Sequence, residues 1–281
     1  MNQKVFIGSL LCAIGFTGIF GFSTGSAFGL FENSKIDLPL RSVSFDRSGD
    51  MQGSQHSMSV EMLDDESALV CYEDASWHHE VVQVKEYIVP KTILEDIKTI
   101  FNDNDLAKCE KAPQSKYFVH DAATCSYAFD FKTKRIRFSS GQELPKGSNE
   151  ALRKISSFVS EACQKGERIP GLYFEKDAEG NMPSRYAVQK GKVAIKVVCY
   201  RKNSLEIAIS NDLDEEKEIS LQSKITELGN PNVIVAERIT DEKDKLPQHY
   251  NDTYYWKLNK RLEVGKYKLS FGEYITEFEI K

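Results

Sequence analysis

Tyr127-Ala128-Phe129-Asp130-Phe131-Lys132-Thr133-Lys134-Arg135-Ile136-Arg137-Phe138 is the stretch that decides the fold. Rings and aliphatic side chains alternate with polar ones on both sides of Lys132-Thr133-Lys134. Period-two alternation about a short polar turn is the pattern of an antiparallel hairpin with one buried face. The period changes on either side of it. Upstream, Ile93, Leu94, Ile97, Ile100 and Phe101 recur at helical spacing, with Pro90 near the first turn, where its missing N–H is harmless. Downstream, Pro145, Gly147 and Asn149 punctuate the chain, and Leu152, Ile155, Phe158, Val159 and Ala162 form a second helical stripe.

Further out, Val43 and Phe45 alternate before a turn at Arg47-Ser48-Gly49-Asp50 and Gly53, and Met58, Val60 and Met62 alternate after it. Segments 68–71 and 80–84 are two more strands. Strands, helix, hairpin and helix in that order predict an α+β domain over 36–165, an antiparallel sheet with two helices on one face. Residues 166–184 carry Pro170-Gly171, Glu179-Gly180-Asn181 and Pro183, a cluster of turn formers read as a linker or a small capping hairpin. Beyond it the helical period vanishes. Strand candidates at 193–200, 204–210, 218–226, 232–239, 253–259, 265–271 and 274–280 predict an all-β sandwich over 185–281. Tyr267 is a candidate corner tyrosine.

That half resembles the bacterial immunoglobulin-like modules of exported proteins. The likeness rests on the strand ending in Ser210-Asn211-Asp212, the Trp256 strand, and the closing Leu262-Glu263-Val264-Gly265-Lys266-Tyr267 step. In layout the whole chain is similar to uncharacterised exported proteins of anaerobic bacteria, with a leader, an opening hairpin turned at Ser48-Gly49 and Gly53-Ser54, a central hairpin and an amphipathic helix. The resemblance implies a fold and a location, and no catalytic residues.

The amino terminus agrees on location. Between Lys4 and Glu32 there is no charge, and the apolar run ends at Ser23-Thr24-Gly25-Ser26-Ala27. A basic start, an apolar middle and a small-residue exit describe a signal peptide over 1–27. The competing reading is an uncleaved anchor over 5–27, long enough for a bilayer, with Gly21, Gly25 and Gly29 at small-xxx-small spacing. Cys12 is a poor lipidation site because bulky Leu11 precedes it. The expected location is secreted or at the cell envelope.

The 281 residues carry a formal charge of −5, with acids and bases interleaved, so no basic stripe points to nucleic acid. Membrane contact is expected only through the leader. The 16 Phe and 12 Tyr suffice for a core. Five cysteines follow the leader, with Cys109–Cys125 the favoured disulfide, and the absence of Cys-x-x-Cys argues against zinc-finger or thioredoxin chemistry.

No enzyme motif or cofactor signature stands out: catalytic residues, none; cofactors, none. His78 and His79, with His56 and His120, are the candidate metal ligands, although neighbouring strand residues face opposite ways. Asn102-Asp103-Asn104-Asp105 begins like a calcium loop but lacks its glycine, and reads as a helix cap. Tyr250, Tyr254, Tyr255 and Trp256 beside the polar segment 240–253 are the candidate partner-binding residues, with Tyr254 and Trp256 alternatively core. The functional expectation is a non-enzymatic envelope protein that binds an unknown protein or glycan. The alternatives are a hydrolase or metal enzyme around the N-terminal histidines, or an inhibitor or accessory module acting through the 240–253 loop.

Overall fold

The alternation at the front of the chain folds as an antiparallel meander. The computed structural model describes residues 35–49, 55–75, 80–116 and 123–281, all in one compact unit. Strands β1 (Leu40–Ser48), β2 (Gln55–Met62), β3 (Ser67–Ala75) and β4 (Gln83–Pro90) pair in sequence. The hairpin β5 (Thr124–Phe131) and β6 (Arg135–Ser139) adds to the free side of β1. Its turn closes where Phe131 N–H donates to Lys134 C=O at 2.7 Å.

Helices α1 (Thr92–Asp103) and α2 (Ser148–Lys165) cover one face of this sheet. Ile93, Leu94, Ile97 and Phe101 of α1 and Leu152, Ile155 and Val159 of α2 pack on Val43, Val60, Val70 and Phe129. A 3-10 turn, Leu106–Lys111, follows α1. Asn102 is tied into structure, its side chain exchanging hydrogen bonds with the Ile36 backbone. The left-handed residue after α1 is Asp105 at φ 49°, whereas Asn104 sits at φ −110°.

Two details differ from the sequence reading. The fourth strand begins at Gln83 rather than Glu80, which makes only an isolated bridge to Ser184. The presumed linker starts with β7 (Glu167–Ile169), which pairs with β4 as the sheet's seventh strand. Gly171 and Lys281 exchange backbone hydrogen bonds, so the segment is also fastened to the carboxyl end.

The remaining strands are β8 (Val193–Arg201), β9 (Ser204–Asn211), β10 (Lys217–Ser220), β11 (Ser223–Glu227), β12 (Asn230–Arg238), β13 (Lys243–Leu246), β14 (Tyr250–Lys257), β15 (Gly265–Phe271) and β16 (Tyr274–Ile280). They form sheets ordered β14-β9-β8 and β12-β11-β15-β16, with a β10-β13 ribbon. A second core joins Ile207 and Trp256 from the first sheet to Ile225, Leu269 and Phe278 from the second. Two sheets sharing one core make this half a β-sandwich.

The expected loop over 240–253 is corrected: half of it is strand. Lys243–Leu246 pairs with Lys217–Ser220, and Lys243 Nζ lies 2.7 Å from Glu218 Oε1. Its charged outward residues hid the strand. The single strand expected over 218–226 is likewise two, broken at Leu221-Gln222, where Gly272 N–H donates to Gln222 C=O.

Tyr267 is buried, and its hydroxyl donates to the Glu263 carbonyl at 2.9 Å. Tyr267→Phe is expected to leave the fold intact and cost about 1 kcal/mol in denaturant unfolding, the usual net value of one such bond. An unchanged midpoint would make the bond irrelevant.

Strand β9 is buried on both faces: Leu205, Ile207 and Ile209 enter the sandwich core, and Ala208 packs with Ala187 and Val81. A register shift between Val197 and Cys199 lets Val197 and Tyr200 both enter the sandwich core, while Cys199 joins Cys71 and Val84 on the other side. Arg201 pairs with Glu73, Lys202 Nζ reaches Glu61 at 2.7 Å, and buried Glu86 holds Arg261. Glu86 also accepts the Lys202 backbone N–H at 3.0 Å.

Candidate functional site

Register builds the candidate site. On the helix-facing side of the sheet, one row of directly opposed residues runs Tyr127, Phe45, Met58, Tyr72 and Lys85 across five strands. The next row, nearer the sheet's open end, is Cys125, Arg47, His56, Asp74 and Gln83. Side chains two apart on a strand share a face, so both rows lie on the side that the helices only partly cover. Rings therefore give way to charge as the sheet emerges from under α2.

Two cavities occupy this ground. One, of about 660 Å³, is floored by Phe45, Met58 and Tyr127 and walled by Asn149, Leu152, Arg153 and Ser156 of α2. The other, of about 780 Å³, lies against Lys85 and Tyr87, with Ser160, Cys163 and Gln164 of α2 and Tyr173, Phe174 and Met182 from the segment after β7. They share His56, Ser57 and Tyr72, so they are two halves of one groove. At 1.5 Å per residue, Asn149 to Gln164 spans about 22 Å of helix.

Phe45 and Tyr127 meet edge to face at 5.0 Å, and Tyr72 and Tyr87 do the same at 6.4 Å. Burial pushes the Tyr127 phenol up to about 12, with Cys125 adding to the shift. Burial also raises Tyr72, whose hydroxyl is enclosed with no nitrogen or oxygen partner and faces the Cys163 thiol. His56 Nδ1 sits 2.9 Å from Asp74 Oδ1, with both side chains about half exposed. Cys125 and His56 share the groove but belong to strands separated by β1. Two interstrand spacings put their backbones about 10 Å apart.

Of the candidate metal ligands only His56 is described, paired with Asp74; His78, His79 and His120 lie outside the described residues, as does the leader. Among the described residues no group of three or more His, Cys, Asp or Glu side chains is disposed to hold a metal. No described helix is long and apolar enough to cross a membrane.

The Cys109–Cys125 disulfide is corrected: both cysteines are free thiols, as are Cys71, Cys163 and Cys199. Buried Cys109 turns inward, its thiol donating to the Ser148 hydroxyl at 3.3 Å, whereas Cys125 faces the groove. Burial pushes Cys71 and Cys199 up to about 12. Because the thiolate is the reactive form, iodoacetamide at neutral pH is expected to label half-exposed Cys125 first and to reach Cys71 and Cys199 only on unfolding. Peptide mass mapping checks this, and early labelling of Cys71 would contradict it.

The aromatic quartet does not form one surface. Trp256 is core, and Tyr254 packs on Phe271 at 5.4 Å with its hydroxyl donating to Asp244 at 2.6 Å. Tyr255 points to the opposite face at 62% exposure, and Tyr250 is exposed at the strand's start. Alternation along β14 separates them. The groove residues Arg47, Tyr72, Lys85 and Arg153 were missed from sequence, since they converge only through strand register and the placement of α2.

No known protein family matches the chain, and no curated protein is similar to it.

Proposed function

We propose that this is an exported, non-enzymatic binding protein of the cell envelope, and that it holds an extended segment of a partner protein in the groove along α2. The observation that carries the reading is the groove itself: a continuous trough of two cavities, floored by rings and edged by charge. Its length of about 22 Å suits six or seven residues of extended chain at about 3.3 Å each. Rings give a bound segment contact area, and the charged edge sets its direction.

The sandwich serves in this reading as an immunoglobulin-like support. Lettering β8, β9, β11, β12, β14, β15 and β16 as A, B, C, C′, E, F and G yields sheets A-B-E and C′-C-F-G. That arrangement, with Tyr267 at the start of F bonded to a carbonyl four residues upstream, supports the immunoglobulin type. Export rests on residues 1–27, and a mature mass beginning near Phe28 would support cleavage.

The test is a photo-crosslinking residue placed at Ser156 on the groove wall or at exposed Ser157, in full-length protein expressed in its own cells. Adducts from position 156 and none from 157 are expected. Equal labelling at both positions would defeat the reading.

A further inference from the structure

The inference here rests on the groove reading and names the chemistry of its occupant. Arg47 on β1 and Arg153 on α2 line the same cavity, one from the sheet and one from the helix, and neither has an ion-pair partner among the described residues. Asn149 lines that wall too, one turn before Arg153 and in the first turn of α2. No side chain caps this 18-residue helix, whose N-cap is Gly147. Its first backbone amides therefore add a partial positive charge to the same end of the groove. His56 stands beside Arg47 in the row.

The opposing charges are few. Asp74 is engaged by His56, and Asp46 is the one acid lining this cavity, its carboxyl pushed above the usual range by burial. In the second cavity Glu73 is held by Arg201 and Asp74 by His56, while Lys85 and Lys176 also line it. The two arginines and the first amides of α2 stand together at the end near the start of that helix, beside the Phe45–Tyr127 ring pair.

We propose that this end is a carboxylate subsite, and that the groove takes an acidic peptide segment with one carboxylate seated between Arg47 and Arg153 and an apolar side chain against Phe45 and Tyr127. Guanidinium groups suit this task because each can donate two parallel hydrogen bonds to a carboxylate. An acidic side chain and a free carboxyl terminus present the same chemistry.

The test pans a random heptapeptide display library against the full chain, then measures the recovered peptides by fluorescence anisotropy. Enrichment of Asp and Glu, and a loss of about tenfold in affinity for Arg47→Gln and for Arg153→Gln, are expected. Both arginines are exposed, so folding should survive, as circular dichroism would verify. Replacing peptide Glu by Gln separates a side-chain carboxylate from a terminal one, which amidation removes instead; a large loss from either supports the subsite. Neutral peptides that bind equally well, yet are blocked by Ser156→Trp, would overturn the subsite and leave the groove reading standing. Recovery of no peptide would overturn both. Binding of oligogalacturonate that Arg47→Gln and Arg153→Gln each weaken, when no peptide is recovered, would assign the arginines to an acidic glycan and overturn the peptide proposal.

Discussion

Glu86→Ala is expected to destabilise the protein by about 3–5 kcal/mol, the range for removing one partner of a buried ion pair. Glu86 is 4% exposed in the middle of β4, and it holds both the Arg261 guanidinium and the Lys202 backbone N–H. Arg261 Nε is already enclosed without a partner, so losing the carboxylate strands the whole cation. At roughly 2–4 °C per kcal/mol for a domain of this size, the melting temperature should fall by about 10 °C. The charge itself is replaceable. Glu86→Leu combined with Arg261→Met should recover part of the loss, since an apolar pair of similar volume removes two desolvation costs together, while the Lys202 N–H stays without its acceptor. A single-variant change below about 1 kcal/mol would mean that water reaches this contact and that it does not help to fasten the two halves.

Phe101→Ala should cost a similar amount, about 3–5 kcal/mol, for a different reason. The ring is fully buried on the inner face of α1, 4.7 Å from Phe129 and 5.3 Å from Phe131. It joins the helix to the hairpin strand, and its neighbours belong to a sheet that cannot collapse inward without breaking register. The space left behind therefore adds to the lost transfer energy. Guanidinium unfolding gives the value directly. Loss of the first core alone, with near-native fluorescence from Trp256 in a Trp77→Phe background, would show that the two cores unfold separately.

The elements readable in advance are those whose pattern is set by one local rule. The Tyr127–Phe138 alternation gave the hairpin, and the spacing of Ile93, Leu94, Ile97 and Phe101 gave α1, because one buried face imposes each period. Strand β13 was missed because Lys243-Asp244-Lys245 presents charge on a two-stranded ribbon, and only Leu246 is buried. The break between β10 and β11 has no local apolar signal; it exists because Lys217–Ser220 leaves for another partner. The Tyr250–Trp256 cluster divides along the core alternative read from its alternation: Tyr254 and Trp256 pack inward, and only Tyr250 and Tyr255 remain exposed.

The groove belongs to a third category. His56 drew notice for its imidazole, yet Arg47, Tyr72 and Lys85 are ordinary residues on three different strands. Only the register that sets Arg47 beside His56 and Tyr72 beside Lys85, with α2 laid across them, makes them neighbours.

The chain has five methionines, which gives a direct measurement. Met58 lines one cavity and Met182 the other, while Met62 is 40% exposed on β2 outside both. With carbon-13 in the methionine methyl groups of the full chain, a recovered heptapeptide is titrated in and the methyl signals are followed by NMR. If an extended segment lies along α2, the Met58 and Met182 signals move together while Met62 stays in place. Saturable binding that leaves Met58 and Met182 unmoved would put the recognition surface elsewhere and contradict the account.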